Sequence, residues 1–240
     1  SSVTLTVPAG NTFTQFLLHG VEGQTGTVTI TATSPGFTAG TGTAMVVPIA
    51  YELVSLPTTT TTLTPDRPFS VRVGAINAAG TGMEGGIGAS APVRQGGTPI
   101  TFTLTNSNAS AAQLTTTAGS GQTRTVSVAP GRSESPGAVA DGGVAFDPLG
   151  AGATTVTAST SYLPSTALAT ATVNVSVTGS ALSVLTAGAR IGSGLSSPTS
   201  YAVSLGSAAP AGGTVVTLTS ADPSKLLLAG PNFALVGQSS

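Results

Sequence analysis

The sequence predicts an all-β protein built of antiparallel β-sandwiches in tandem. Three observations predict it: apolar and polar residues alternate with period two, glycine and proline separate the alternating runs, and similar runs recur along the chain. Thr and Val, which are β-branched and suit a pleated surface, are abundant, whereas strong helix formers are scarce. The 32 Gly and 16 Pro occur throughout the 240 residues, so we expect no long helix.

Residues 1–50 contain the first predicted strands. Apolar residues alternate with threonines in runs that include Val3, Leu5 and Val7, then Val28 and Ile30, then Met45 and Val47. Two stretches with turn chemistry, Pro8-Ala-Gly-Asn11 and Ser34-Pro-Gly36, lie between these runs.

Residues 51–179 and 180–240 continue the pattern. In the first of these segments we predict strands at 69–73, 100–105, 124–128, 143–146, 154–158 and 170–177. In the second segment we predict strands at 201–205, 214–219, 225–228 and 233–236. Spacings of about 8–15 residues, interrupted by Gly and Pro, are typical of an antiparallel sandwich.

Segments in the middle of the chain match segments near its two ends. The matching pairs are Tyr201-Ala-Val-Ser-Leu205 with Phe69-Ser-Val-Arg-Val73, Gly212-Gly-Thr-Val-Val-Thr-Leu-Thr219 with Gly96-Gly-Thr-Pro-Ile-Thr-Phe-Thr103, Val3-Thr-Leu-Thr-Val-Pro-Ala-Gly10 with Thr125-Val-Ser-Val-Ala-Pro-Gly131, and Thr29-Ile-Thr-Ala-Thr-Ser34 with Thr155-Val-Thr-Ala-Ser-Thr160. Residues 180–240 thus match the front half of 51–179, and residues 1–50 match its back half. We predict one complete sandwich at 51–179 and a second that is split between 180–240 and 1–50.

The two halves of the split sandwich are not expected to meet within one chain. A sandwich strand spans ~20 Å and a module about twice that, whereas one extended residue covers only about 3.4 Å. The short connection between Val177 and Ala181 therefore cannot return the chain past the middle module. Two arrangements stay open: a longer covalent repeat, or copies that complete each other's sandwiches by strand exchange. The candidate inter-copy interface comprises Val3, Leu5, Val7, Val216, Leu218 and Leu227.

Two motifs in the first fifty residues carry a family resemblance. Ser2-Val-Thr-Leu-Thr-Val-Pro-Ala-Gly10 and Gly26-Thr-Val-Thr-Ile-Thr-Ala-Thr-Ser-Pro-Gly-Phe-Thr-Ala-Gly-Thr-Gly-Thr43 resemble the bacterial immunoglobulin-like (Big-type) repeats of long cell-surface, adhesin-like and filament proteins. Counting both units, the resemblance covers nearly the whole chain. It implies immunoglobulin-like sandwiches, a secreted or cell-surface location, and a role as spacer, stalk or self-associating surface. The middle unit departs from the pattern at Ser161-Tyr-Leu-Pro-Ser165 and by a Gly-rich insertion at 74–94.

Composition excludes several classes of partner and site. Only 6% of the residues are charged, against about 25% in an ordinary protein. With a net charge of −1 and no basic patch, we expect no nucleic-acid partner. We also expect no insertion into a membrane, because Thr, Ser and Gly interrupt every apolar run well before about 18 residues. Without cysteine there is no disulfide framework and no thiolate metal site.

One motif in the insertion has the spacing of a dinucleotide-binding loop. Gly80-Thr-Gly-Met-Glu-Gly85 spells G-x-G-x-x-G, but the following Gly86-Ile-Gly-Ala-Ser90 cannot supply the helix that this motif requires. We therefore expect a flexible surface insertion. It is still a candidate contact loop, because loops on rigid scaffolds often carry binding functions. Its candidate contact residues are Met83, Glu84 and Ile87.

The remaining polar residues give no catalytic or metal-binding pattern. His19 is the single histidine and lacks a neighbouring nucleophile, and no two of the eight carboxylates lie within five residues of each other. We expect Tyr201 in the core as the counterpart of Phe69, and Tyr162 as the one candidate sugar platform. Asn108-Ala-Ser110 and Asn174-Val-Ser176 fit the N-glycosylation pattern.

These observations predict a structural protein without enzyme activity or cofactor. The expected form is a linear filament, stalk or extracellular surface fibre of head-to-tail immunoglobulin-like modules, whose partners are copies of itself. Neutral Thr, Ser and Gly faces suit this role because they can be buried with little charge-desolvation cost. The alternative is a ligand- or carbohydrate-binding adhesin module of a secreted protein, with a surface glycan as its partner.

Overall fold

The computed structural model describes residues 1–86, 90–186, 188–197, 200–206, 208–209 and 212–230. Within these residues the chain forms fifteen β-strands and two short 3₁₀ turns, so the expected all-β class is confirmed. The first eight strands are β1 Gly26–Ala32, β2 Gly40–Val46, β3 Ile49–Val54, β4 Thr59–Thr61, β5 Arg67–Ala75, β6 Ile100–Asn106, β7 Ala112–Thr116 and β8 Gly119–Gly121. The others are β9 Thr123–Val128, β10 Val144–Pro148, β11 Gly152–Ser159, β12 Ser165–Ala167, β13 Thr172–Thr178, β14 Leu182–Leu185 and β15 Ala202–Leu205. The 3₁₀ turns are Val139–Asp141 and Ala169–Ala171.

The middle of the chain folds into two sheets. One has six strands in the order β12-β3-β5-β10-β7-β8, and the other has five in the order β4-β13-β11-β6-β9. The pairings are antiparallel except for β12 with β3 and β4 with β13, which are parallel. Most of these strands are therefore hydrogen-bonded to strands that lie far away along the chain, as in a sandwich rather than a string of hairpins.

The two sheets share one hydrophobic core, which makes this region a β-sandwich. In β6, Ile100, Phe102 and Leu104 are buried and alternate with Thr101 and Thr105, which are exposed. Phe69 in the six-stranded sheet and Phe102 in the five-stranded sheet belong to the same buried cluster. The ring of Tyr51 in β3 packs against Phe102 with centroids 5.1 Å apart. Burial of each such aromatic side chain contributes roughly 1.5–3 kcal/mol.

The sandwich begins slightly earlier than the sequence suggests. β3 begins at Ile49, and Ala50 is completely buried beside Met83 and Leu168. Ile49 and Ala50 precede the expected boundary at 50/51. The strand starts earlier because its bounds are set by its pairing with β5, which begins at Ile49.

Two isolated hairpins flank the sandwich along the chain. β1 and β2 form one two-stranded sheet, and β14 and β15 form another. The strands expected at 3–7, 214–219 and 225–228 are wrong for the described chain, where these residues have no strand assignment. A strand needs a partner for its backbone N–H and C=O groups, and among the described residues no strand pairs with these segments. The strand expected at 233–236 lies outside the described residues.

Candidate inter-copy interface

The residues chosen from the sequence for the inter-copy interface lie on the surface. Val3, Leu5 and Val7 are 69%, 43% and 47% exposed, and Leu218 and Leu227 are 50% and 55% exposed. Val216 is half-buried. Among the described residues, no strand pairing joins the segment around Val3 to the segment around Leu218. These side chains are therefore apolar surface in the single chain.

Each flanking hairpin also has an uncovered apolar face. In β14–β15, Leu182 lies opposite Leu205 and Val184 opposite Val203, so all four side chains point to one face. Leu182 and Val184 are both more than half exposed. In β1–β2, Val28 lies opposite Ala44 on one face, whereas Thr29 lies opposite Thr43 on the other. No strand was predicted at 182–185, although the alternation of Leu182 and Val184 with Ser183 is the strand signal used elsewhere.

The β14–β15 hairpin repeats the pairing register of β3–β5. If Tyr201 corresponds to Phe69, then Val203 corresponds to Val71 and Leu205 to Val73. Val71 pairs with Leu53 and Val73 with Tyr51, just as Val203 pairs with Val184 and Leu205 with Leu182. Residues 182–185 are thus equivalent in position to residues 51–54, with no shift in pairing register.

The β1–β2 hairpin repeats the register of β11–β13 in the same way. Gly26 pairs with Val46 at its base, and Gly152 pairs with Val177 at the base of β11–β13. Both glycines have positive φ, 126° and 157°. The chain then reaches Tyr51 five residues after Val46, and Leu182 five residues after Val177.

Two turns also occur twice with the same hydrogen bonds. The N–H of Asn11 donates to the carbonyl of Pro8 at 3.0 Å, and the N–H of Arg132 donates to that of Ala129 at 3.0 Å. The glycine within each turn, Gly10 or Gly131, has φ of 85° or 78°. Only a left-handed backbone accommodates these turns, which explains glycine there.

The second repeated turn is centred on an Asp or Asn side chain. The N–H and hydroxyl of Ser224 donate to Oδ1 of Asp222 at 3.1 and 2.5 Å. In the sandwich, the N–H and hydroxyl of Ser110 donate to Oδ1 of Asn108 at 3.1 and 2.7 Å. Nδ2 of Asn108 also donates to the carbonyl of Ala153 at 3.0 Å, so the amide of this glycosylation motif is engaged.

The insertion at 74–94 differs from the expected exposed contact loop. Met83 is 4% exposed, and a β-bridge joins it to Ile76, so its predicted role as a contact residue is wrong. Its sulfur lies so close to Gly74 that a Cβ there would come within 2.7 Å of Sδ. Glu84 is exposed, and its N–H donates to the carbonyl of Ala75 at 2.8 Å. Ile87 lies outside the described residues.

An ion pair connects the N-terminal segment to the end of this insertion. Nη2 of Arg94 donates to both carboxylate oxygens of Glu22 at 2.7 Å. This hydrogen bond from Arg94 lowers the pKa of Glu22 below its usual value. The pair anchors the loop before β1 on the sandwich, near Tyr162, whose pKa is raised mainly by burial and also by Glu22.

The outer face of the six-stranded sheet holds two groups of ionisable side chains. Arg72 donates from Nε to Oε1 of Glu134 at 2.7 Å and from Nη1 to Oε1 of Glu52 at 3.3 Å. Just before β5, burial and the neighbouring carboxylate of Asp147 raise the pKa of Asp66. Among the described residues, no group of three or more His, Cys, Asp or Glu side chains is placed to hold a metal ion.

Two open depressions on the surface of the sandwich are lined mainly by threonines. One of about 290 Å³ is lined by Thr59, Thr60, Thr61, Thr64, Arg67 and Thr178. Another of about 360 Å³ is lined by Thr116, Thr117, Ala118, Thr123, Arg124, Thr125 and Gly142. Neither lining contains an aromatic ring or a carboxylate.

The burial of two tyrosines, Tyr162 and Tyr201, differs from what the sequence predicted. Tyr162, the candidate sugar platform, is half-buried against the core. Tyr201, expected in the core, is 43% exposed. Tyr51 is buried, and His19 is exposed.

Among the described residues there is also no helix with the length and apolar character needed to span a bilayer.

A scan against protein-family models finds no match to this chain, and no curated protein matches it either.

Proposed function

We propose that this chain is a structural, non-enzymatic protein of tandem immunoglobulin-like sandwiches that forms a linear extracellular filament, stalk or surface fibre. Its partners are copies of itself, in which 180–240 of one copy and 1–50 of another build a sandwich together. The observation that carries the proposal is the pair of uncovered apolar hairpins whose registers repeat those of a covered sandwich.

The strand order of the sandwich supports its immunoglobulin-like character. If β3, β5, β6, β7, β10, β11 and β13 are named A to G in chain order, one sheet contains A-B-E-D and the other C-F-G. This is the strand arrangement of constant-type immunoglobulin domains. The additional strands β4, β8, β9 and β12 extend the sheet edges.

With the same strand names, the two hairpins correspond to strands of opposite sheets. β14–β15 corresponds to strands A and B, and β1–β2 corresponds to strands F and G, by the shared registers. In the sandwich, strands A and B lie in one sheet and strands F and G in the other, and their inner faces share one core. The hairpins therefore provide opposite sheets of one further sandwich.

Their exposure provides the driving force for association. In the sandwich, the positions that correspond to Leu182, Val184 and Val203 are Tyr51, Leu53 and Val71, and all three are buried. Burial of a large aliphatic side chain contributes about 1.5–3 kcal/mol, and an isolated two-stranded hairpin is at best marginally stable. Covering both faces with each other removes apolar surface from water and stabilises each hairpin.

The low charge supports self-association over binding of a charged partner. With 6% charged residues and a net charge of −1, copies do not repel each other strongly. The two threonine-lined depressions give little support to the alternative of a carbohydrate-binding module, since sugars stack on exposed rings and the linings contain none.

Sedimentation velocity over a concentration series, combined with negative-stain electron microscopy, tests the proposal. We expect species of increasing mass and linear particles with an axial repeat of two sandwiches, about 80 Å if a strand spans ~20 Å and a module twice that. A compact monomer throughout the concentration series would contradict the proposal.

A further inference from the structure

We propose that residues 3–7 of one copy and 216–220 of another form an antiparallel ladder in which Val7 lies opposite Val216 and Leu5 opposite Leu218. This inference rests on the proposed function and specifies two strands and a register within the shared sandwich.

The β6–β9 pair of the middle sandwich is the template. There, Ile100 lies opposite Val128 and Phe102 opposite Val126 in an antiparallel ladder. Ile100, Phe102, Val126 and Val128 are all at most 4% exposed, since their side chains point into the core. Both strands belong to the five-stranded sheet, with β9 at its edge.

The repeated turn after residue 7 places 3–7 on β9. Pro8 and Asn11 make the same 3.0 Å hydrogen bond as Ala129 and Arg132, with a left-handed glycine between them. Counting back from this turn, Val7 takes the place of Val128 and Leu5 the place of Val126. Val7 and Leu5 thus fall on buried apolar positions without any gap, and Val3 takes the place of Arg124 at the end of the strand.

The glycines before residue 214 place 216–220 on β6. Gly212-Gly-Thr-Val-Val-Thr-Leu-Thr219 matches Gly96-Gly-Thr-Pro-Ile-Thr-Phe-Thr103, and both Gly212 and Gly96 have positive φ. Val216 then takes the place of Ile100 and Leu218 the place of Phe102. The Asp222 turn that follows has the hydrogen bonds of the Asn108 turn. It comes six residues after Val216, whereas Asn108 comes eight residues after Ile100, so the register of the ladder rests on the glycines and the alternation.

The chemistry of the two strands suits a pairing between copies. Residues 3–7 and 216–220 contain no charged side chain, so their pairing carries no charge-desolvation cost. In the template, the hydroxyls of Thr101 and Ser127 lie 2.9 Å apart on the outer face of the ladder. The corresponding residues in the proposed ladder are Thr217 and Thr6, which can make the same contact.

Cysteine cross-linking of the full chain tests the register, since the chain has no cysteine of its own. Directly opposite residues of an antiparallel pair have Cβ atoms about 4.5–5.5 Å apart, close to the distance that a disulfide needs. Thr6→Cys in one chain and Thr217→Cys in another, mixed under mild oxidant, should form a mixed disulfide. Thr4→Cys with Thr219→Cys should do the same.

The crossed mixtures are the matched controls. Thr6→Cys with Thr219→Cys, and Thr4→Cys with Thr217→Cys, use the same four variants with a shift of two residues. We expect the in-register mixtures to give about tenfold or more mixed disulfide over the crossed ones, because the ladder raises the effective concentration of directly opposed thiols.

Three outcomes would overturn the inference, and they are distinguishable from failure of the proposed function. Equal yields in all four mixtures, with mass still increasing with concentration, would refute the register and leave the self-assembling fibre intact. No disulfide and no assembly would refute both. An intramolecular disulfide in a monomeric chain that carries both Thr6→Cys and Thr217→Cys would show that the ladder forms within one copy.

Discussion

Val184 lies opposite Val203 in the β14–β15 ladder, so the two side chains share one face of the hairpin. Leu53 and Val71 hold the same positions in the β3–β5 ladder, where both are buried in the sandwich core. Val184 is 55% exposed. Two strand pairs with the same register thus differ in burial. β3–β5 is covered by a second sheet, whereas the β14–β15 hairpin is not.

Val184→Asp should abolish association between copies. The substitution places a charge on the face that the partner hairpin would cover, and an unpaired buried charge is strongly unfavourable. Sedimentation velocity should show a monomer at concentrations where the unmodified chain assembles. Ser183→Asp, on the opposite face of the same strand, is the matched control and should assemble normally. Equal assembly of both variants would contradict the proposed interface.

Phe102→Ala should destabilise the sandwich strongly. Phe102 is fully buried, contacts Tyr51 and belongs to the core that both sheets share. Removal of a buried Phe side chain lowers the free energy of unfolding by about 3–5 kcal/mol. Thr101→Ala, next to it on the outer face, should change that free energy by about 1 kcal/mol or less. Urea unfolding measures both, and similar losses for the two variants would argue against a shared core.

Gly74→Ala should lower stability because the insertion packs directly on β5. A Cβ at residue 74 would lie 2.7 Å from Sδ of Met83, so the Met83 side chain must move. We expect a loss of about 1–3 kcal/mol in the free energy of unfolding. Gly137→Ala is the control, since a Cβ there meets no atom within 4 Å. If Gly74→Ala unfolds like the control, the insertion is not packed as described.

Asp66→Asn should stabilise the sandwich at neutral pH and lose this advantage in acid. Burial, and then the charge of Asp147, raise the pKa of Asp66 in the folded chain. The folded state therefore holds the proton more tightly, and stability falls as pH rises from the ordinary value of about 3.9 through the folded pKa. Thermal unfolding midpoints between pH 3 and 7 measure the difference.

A second variant isolates the contribution of the neighbouring carboxylate. In an Asp147→Asn background the gain from Asp66→Asn at neutral pH should be smaller, because one of the two charges is already absent. A gain that increases toward acid, or that is independent of Asp147, would contradict the placement of the two side chains.

The sequence was sufficient to predict strands whose two faces differ clearly. β6 was found because Ile100, Phe102 and Leu104 alternate with threonines, and this alternation is the core pattern itself. β7 and β12 were missed because they are short and rich in Ala, Ser, Thr and Gln, so that only their distant pairing partners define them. Local composition cannot supply that pairing.

At the candidate interface the sequence predicted which side chains are apolar, but not whether their segments form strands in the single chain. Residues 3–7 alternate as clearly as β6, yet they form no strand in the single chain. Alternation indicates which face of a segment is apolar, whereas a strand also requires a partner. Tyr201 shows the same limit: it matches buried Phe69 in the sequence, yet it is 43% exposed among the described residues.

Hydrogen exchange of the full chain, in dilute and in concentrated solution, tests the central claim most directly. Amides in 3–7 and 216–220 should exchange fast when the chain is dilute and should become protected together as concentration rises, while those of β6 stay protected throughout. The joint protection of both segments is the result that the proposed assembly requires. Fast exchange in both segments at concentrations where sedimentation detects assembly would contradict it.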